Sequence, residues 1–223
     1  MNRVRILATF GSDTSWKRQV LGGLLRYGRD QDLAWETRVI DLWTQPGATL
    51  REPRPDGILG HSDLPLPLEA AEDIPRVWID PDSPTGEPTV RVANRAVGRM
   101  GAKHLAEHDA ASFLFVGNLD RDPGRRRWEG FETAVRKHGA EALAFNDGGQ
   151  FIRLLTQWDD PASLHDCAGL IRHLAKPLAI FACDDSTAYA VFELCLRSGW
   201  AIPEDVRILG VDELLGLLLG DPV

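Results

Sequence analysis

Two abutting α/β lobes, each a parallel sheet flanked by helices, are what the sequence predicts. The signature is alternation: short apolar runs of strand length take turns along the chain with longer stretches whose apolar residues recur at helical spacing. Three of those runs end on an aspartate, Asp80, Asp184 and Asp212. The carboxyl ends of strands are where open parallel sheets gather the groups that face a ligand. No low-complexity linker separates the two sets of units, which meet near residues 108–111.

Residues 4–10 read as the first strand, and Gly11, Ser12 and Asp13 as a turn and helix start. Val20, Leu21, Leu24 and Leu25 then share one helical face up to about Asp30. Residues 35–42 form a second strand. Pro46, Gly47, Pro53 and Pro55 leave no room for a regular crossover helix before a strand at 56–60, so a loop or single turn is expected there. Strands at 76–79 and 89–92 precede a helix over 94–107 that turns Val97, Met100, Ala102 and Leu105 inward. The next units pair strand 112–116 with helix 125–137 and strand 142–145 with helix 163–174. Strands 178–183 and 206–209 flank a helix over 186–197 that Gly199 stops. The first lobe is thus read as residues 1–108 and the second as 109–223.

Composition bounds the function. With 43% hydrophobic and 26% charged residues, the 223-residue chain has material for a sizeable core and is neither disordered nor fibrous. Its longest apolar run, near residues 214–219, falls far short of the roughly 20 residues needed to cross a bilayer. Residues 1–8 run a charged pair into a short apolar stretch with no cleavage signal, which predicts a cytoplasmic protein with no membrane partner. Lys and Arg number 25 against 33 Asp and Glu, and the resulting charge of −8 repels a phosphate backbone. Cys167, Cys183 and Cys195 are scattered and odd in number, so three reduced, buried thiols are expected.

The strand-end acids Asp80, Asp184 and Asp212 suit a ligand rich in hydroxyl donors, since each carboxylate offers two acceptor oxygens. Each could equally cap a following helix. Arg125, Arg126 and Arg127 form the one dense basic run; the first two read as solvated helix charges, while Arg127 could fork onto ligand oxygens and pair with one of the acids. Trp16 and Arg18 follow the first strand. An indole against the C–H face of a sugar with charge at its hydroxyl edge is one reading of Trp16, and a plain core role is the other.

Two motif likenesses are set aside. His104, Glu107 and His108 match a zinc-peptidase spacing, but at the end of a helix and without a third ligand, so no metal site is expected. Cys183-Asp184-Asp185 lacks any phosphate-binding glycine loop to accompany it, and no cofactor is expected.

Several strings resemble a known family, the periplasmic-binding-protein-like (type I) effector domains of lactose/galactose-type (LacI/GalR) repressors. They are Asn94-Arg-Ala-Val-Gly-Arg-Met-Gly-Ala-Lys-His-Leu, Phe113-Leu-Phe-Val-Gly with Arg127-Trp-Glu-Gly130-Phe, and Ile180-Phe-Ala-Cys-Asp-Asp-Ser-Thr-Ala. Ile202-Pro-Glu-Asp-Val-Arg-Ile-Leu-Gly-Val-Asp-Glu is the most specific of them. Within the family the chain looks closest to the sugar-sensing N-terminal domain of XylR-type, AraC-family xylose-operon regulators. The resemblance implies a sugar effector, a pentose such as xylose, held between two lobes, and a homodimer that meets DNA only through a domain absent from this chain. It implies ligand contacts at Arg127, Asp184, Asp212 and Asp80, with Trp16 and Arg18 as the xylose-activator variation. Ala93 departs from the family by replacing an acid, and the Pro-rich stretch 46–55 stands where a crossover helix belongs. The second lobe is expected to be incomplete, because the chain ends before the segment that returns to the first. No chemistry is expected; a transporter's solute-binding protein and, behind it, a sugar-processing enzyme are the alternatives.

Overall fold

The computed structural model describes residues 4–10, 15–40, 54–61, 73–80, 86–151 and 162–212. The chain divides into two compact units, Met1–Val92 and Ala93–Val223. In the first unit β1 (Val4–Ala8), β2 (Trp35–Val39), β3 (Gly57–His61), β4 (Arg76–Ile79) and β5 (Thr89–Val90) form a sheet in the order β2-β1-β3-β4-β5, with α1 (Ser15–Asp30) following β1. Every pairing in it is parallel. Leu7, Ala8, Phe10, Ile40, Ile58, Ile74 and Trp78 are its buried apolar residues among those described. Residues 46–53 of the Pro-rich stretch and the Gly11-Ser12-Asp13 turn lie outside the described residues, as do residues 214–219.

The second unit begins with α2 (Asn94–Ala106) and continues through β6 (Ser112–Gly117), α3 (Asp122–Lys137), β7 (Ala142–Asn146), α4 (Ala162–His173), β8 (Leu178–Ala182), α5 (Asp185–Ser198) and β9 (Val206–Leu209). Its parallel sheet runs β7-β6-β8-β9. Side chains of a strand alternate between faces, and β6 shows the result. Phe113 and Phe115 join Phe131 and Phe181 in one core, whereas Leu114 and Val116 join Ile180, Ile171, Val191 and Phe151 in the other. The central strand β8 is buried throughout, as a strand covered by helices on both faces must be. Gly199, at φ 72°, takes the left-handed conformation that ends α5.

The lobe boundary differs from the one read in the sequence. It falls at Val92/Ala93 and not at residue 108, because α2 docks on the second sheet. Its buried stripe is Asn94, Gly98, Gly101, Ala102 and Leu105. A Cβ on Gly98 would strike the Arg127 carbonyl oxygen, and one on Gly130 would strike that of Arg95, so α2 and α3 meet backbone to backbone at two reciprocal glycines. Met100, expected inside, is 70% exposed. Apolar periodicity favours a long side chain over a glycine, but here close approach selects the glycines. Helix α3 also starts earlier than expected, at Asp122, because Pro123 is tolerated in a first helical turn where the missing N–H is not needed. No helix among the described residues is long and apolar enough to cross a membrane.

Candidate ligand site

Both sheets reverse strand order once. From β1 the chain moves to β2 on one side and returns to β3 on the other; β6 is likewise followed by β7 on one side and β8 on the other. Loops leaving such a pair part in opposite directions and open a crevice outside the carboxyl ends of the strands.

In the second unit this place is the gap between the ends of β6 and β8. Asp184 follows β8 and caps α5: its Oδ1 accepts the Thr187 N–H at 2.7 Å. Its Oδ2 takes the Cys183 thiol hydrogen at 3.2 Å. The capping role considered for these acids is therefore real at Asp184. Each carboxylate oxygen nonetheless has a second lone pair. Arg127 is only 8% exposed; its Nε donates to Asn94 Oδ1 at 2.9 Å and its Nη1 to the Cys183 carbonyl oxygen. Among the described residues its partners are thus an amide and a peptide oxygen, not the carboxylate expected. Through them the guanidinium ties the start of α2 and the body of α3 to the residue preceding Asp184. Asp212 is exposed and sits in the left-handed region at φ 98°. The Asp185 N–H donates to the Val211 carbonyl oxygen at 2.8 Å, so the end of β9 lies against the start of α5 and brings Asp212 to the same edge.

Sequence reasoning missed several polar groups here. Asn146 Oδ1 accepts from Leu119 and Gly148 at 3.0 and 3.1 Å, and its amide donates to Asp120. Asp147 is 3% exposed and receives the Gly149 and Phe151 N–H groups at 3.2 and 3.1 Å. Burial raises its carboxyl above the usual range against those two bonds, and the charge of Asp184 adds to the rise. Asp122, also buried, pairs with Arg125 and Arg126 at 2.6 Å each, so these two arginines are helix ion pairs and not bare solvated charges. Asn118 and Asp147 follow apolar strands as Asp184 does and Asn146 closes one, so the same strand-end criterion reaches Asp147 directly and the two asparagines once amides are counted.

In the first unit, Trp16 is half-buried. It stacks on Phe10 with centroids 6.4 Å apart and 26° between planes, and meets His61 at 4.6 Å and 75°. Both partners stand at the carboxyl ends of β1 and β3. Arg18 is exposed. Asp80 is half-buried, with φ 45°, a conformation aspartate tolerates. Its Oδ1 receives the Val92 N–H at 3.4 Å. Within the first unit Trp16 and Asp80 lie at the carboxyl-end edge of its sheet, and within the second Arg127, Asp184 and Asp212 lie at the carboxyl-end edge of its own.

All three cysteines are buried and free, as expected. His104 and His108 stand with rings 5.1 Å apart at the end of α2. Among the described residues no three His, Cys, Asp or Glu side chains gather as a metal-binding group.

Residues 102–219, more than half of the chain, match the family model described as a periplasmic binding protein-like domain. The chain belongs to that family. One relative, the HTH-type transcriptional repressor PurR of Aliivibrio fischeri (strain MJ11), is 28% identical over 177 residues, covering 74% of this chain and 50% of its own length. The chain spans about half the length of the curated relatives it matches. Two solved structures share the fold. A periplasmic binding protein/LacI transcriptional regulator from Alkaliphilus metalliredigens QYMF, complexed with D-xylulofuranose, has a TM-score of 0.67 at 20% identity, covering 97% of this chain and 81% of its own. The xylose-binding transcription activator xylR has a TM-score of 0.74 at 18% identity, covering 96% of this chain and 55% of its own. The switch-point residues of this periplasmic binding protein-like domain, from Asn118 through Asp184, fall within the matched segment.

Proposed function

We propose that this chain is the effector-sensing part of a cytoplasmic transcription regulator that binds a pentose such as xylose and performs no chemistry on it. The observation that carries the reading is the convergence of Arg127, Asp184 and Asp212 at one edge of the second sheet, around its switch point. Carboxylates accept from sugar hydroxyls, and a guanidinium already held by Asn94 and Cys183 is preorganised to donate. Trp16, Arg18 and Asp80, all in the first unit, are the other ligand contacts we propose. The names of the relatives, a repressor and two regulators, favour a sensor over a transporter's binding protein or an enzyme. The sugars in the two structural neighbours' names favour a pentose, and the xylose-activator type within the AraC family is the finer assignment we propose. In the intact regulator the chain acts as a homodimer, and DNA is engaged by a separate module. Effector binding biases that module only by the difference in affinity between two conformations.

Isothermal titration of the chain with D-xylose, D-ribose, L-arabinose and D-glucose tests this, and saturable binding of a pentose below millimolar is expected. Asp184→Asn keeps the helix cap, since asparagine caps as well as aspartate, but removes the charged acceptor. It should weaken binding roughly ten- to hundredfold, the worth of a hydrogen bond to a charged group. The absence of binding by every sugar at millimolar concentration overturns the proposal.

A further inference from the structure

We propose that His61 is a positioning residue for Trp16: it fixes the plane of the indole and ties it to the end of β4, immediately before Asp80. The inference rests on the sugar-sensing reading and deepens it by naming what presets the aromatic surface. Phe10 follows β1 and His61 closes β3, the two strands at which the first sheet reverses order. Their rings and that of Trp16 each touch the other two, with Phe10 and His61 6.3 Å apart and nearly perpendicular at 88°. The indole, carried on α1, is therefore gripped from two different strands.

His61 is itself held on its other side. Its Nδ1 lies 2.9 Å from the Ile79 carbonyl oxygen, which can only accept, so Nδ1 carries the hydrogen and the ring orientation is set by that bond. Ile79 is the last residue of β4, and Asp80 follows it. One imidazole thus links the aromatic cluster to the strand end that presents the acid. An indole on a long, half-buried helix start would otherwise lose rotamer freedom when a sugar packs on it. An indole already fixed does not incur that cost.

The test compares His61→Asn, which keeps an N–H donor near the Ile79 carbonyl but removes the ring, with His61→Phe, which keeps a ring but removes the donor. Two readouts are used: the near-ultraviolet circular dichroism of Trp16, isolated by subtracting the Trp16→Phe spectrum, and the affinity for D-xylose and D-ribose by titration calorimetry. Both variants should lose most of the Trp16 band and bind pentose about three- to tenfold more weakly, the scale of one freed side chain. In a Trp16→Phe background the same His61 substitutions should leave affinity unchanged, because the residue acts through the indole. A full-strength Trp16 band in the variants, or an affinity loss that persists without Trp16, overturns the proposal. If the unmodified chain binds neither sugar, the sensor reading fails, while the dichroism still decides whether His61 orients Trp16.

Discussion

The Asp184 carboxylate caps α5 with one oxygen and takes the Cys183 thiol hydrogen on the other, so it is a structural part of its helix. Its neighbour Cys183 is correspondingly inert. Burial, reinforced by the Asp184 charge, drives its thiol far above the ordinary cysteine range. Burial likewise pushes Cys167 up to about 12, and Cys195 up to about 11 despite the opposing charge of Lys176. Thiolates are the reactive form, so none of the three should react with a disulfide reagent such as dithiobis(nitrobenzoate) at about pH 8 while the chain is folded. All should react on denaturation. Labelling of any of them in the folded protein, followed by thiol release in a spectrophotometer, would contradict this.

Between elements, the α2–α3 contact sets the architecture of the second unit. Gly98 and Gly130 let the two helix backbones touch, and Arg127 reaches from that contact to Asn94 and to the end of β8. Gly98→Ala forces a methyl into the Arg127 peptide oxygen, and backbone cannot step aside as a flexible side chain would. A loss of about 1–3 kcal/mol in unfolding free energy is expected, the usual cost of overpacking, measured by urea denaturation. Gly169, with open space around its Cβ position, is the control: alanine there should stabilise α4 slightly, by about 1 kcal/mol or less. Equal stability of the wild-type and Gly98→Ala chains would show that the helices are further apart than described.

For the chain as a whole, net charge decides what it does not hold. At −8 it repels polyanions. Fluorescence anisotropy with a labelled random duplex at about 50 mM salt should detect no association, although low salt strengthens non-specific binding to DNA. Tight, salt-sensitive binding would mean that a basic surface outweighs the overall charge.

Alternating apolar runs and strand-end aspartates were legible in the sequence because they are local: a parallel strand buried between helices must be apolar, and its loop must be polar. The element order followed, and so did the place of Asp80, Asp184 and Asp212 just past the ends of their own strands. What local pattern could not carry was partnership between distant segments. Which sheet α2 covers depends on two glycines that meet only after folding, and the periodicity of Asn94–Ala106 pointed to Met100 instead. Arg127 was legible as a candidate but not its grip on Asn94 and Cys183, and His61 showed no sign of its place among Phe10, Trp16 and Ile79. These side chains come from separate strands and helices, and only the crossing of the chain at each sheet's reversal brings them into reach.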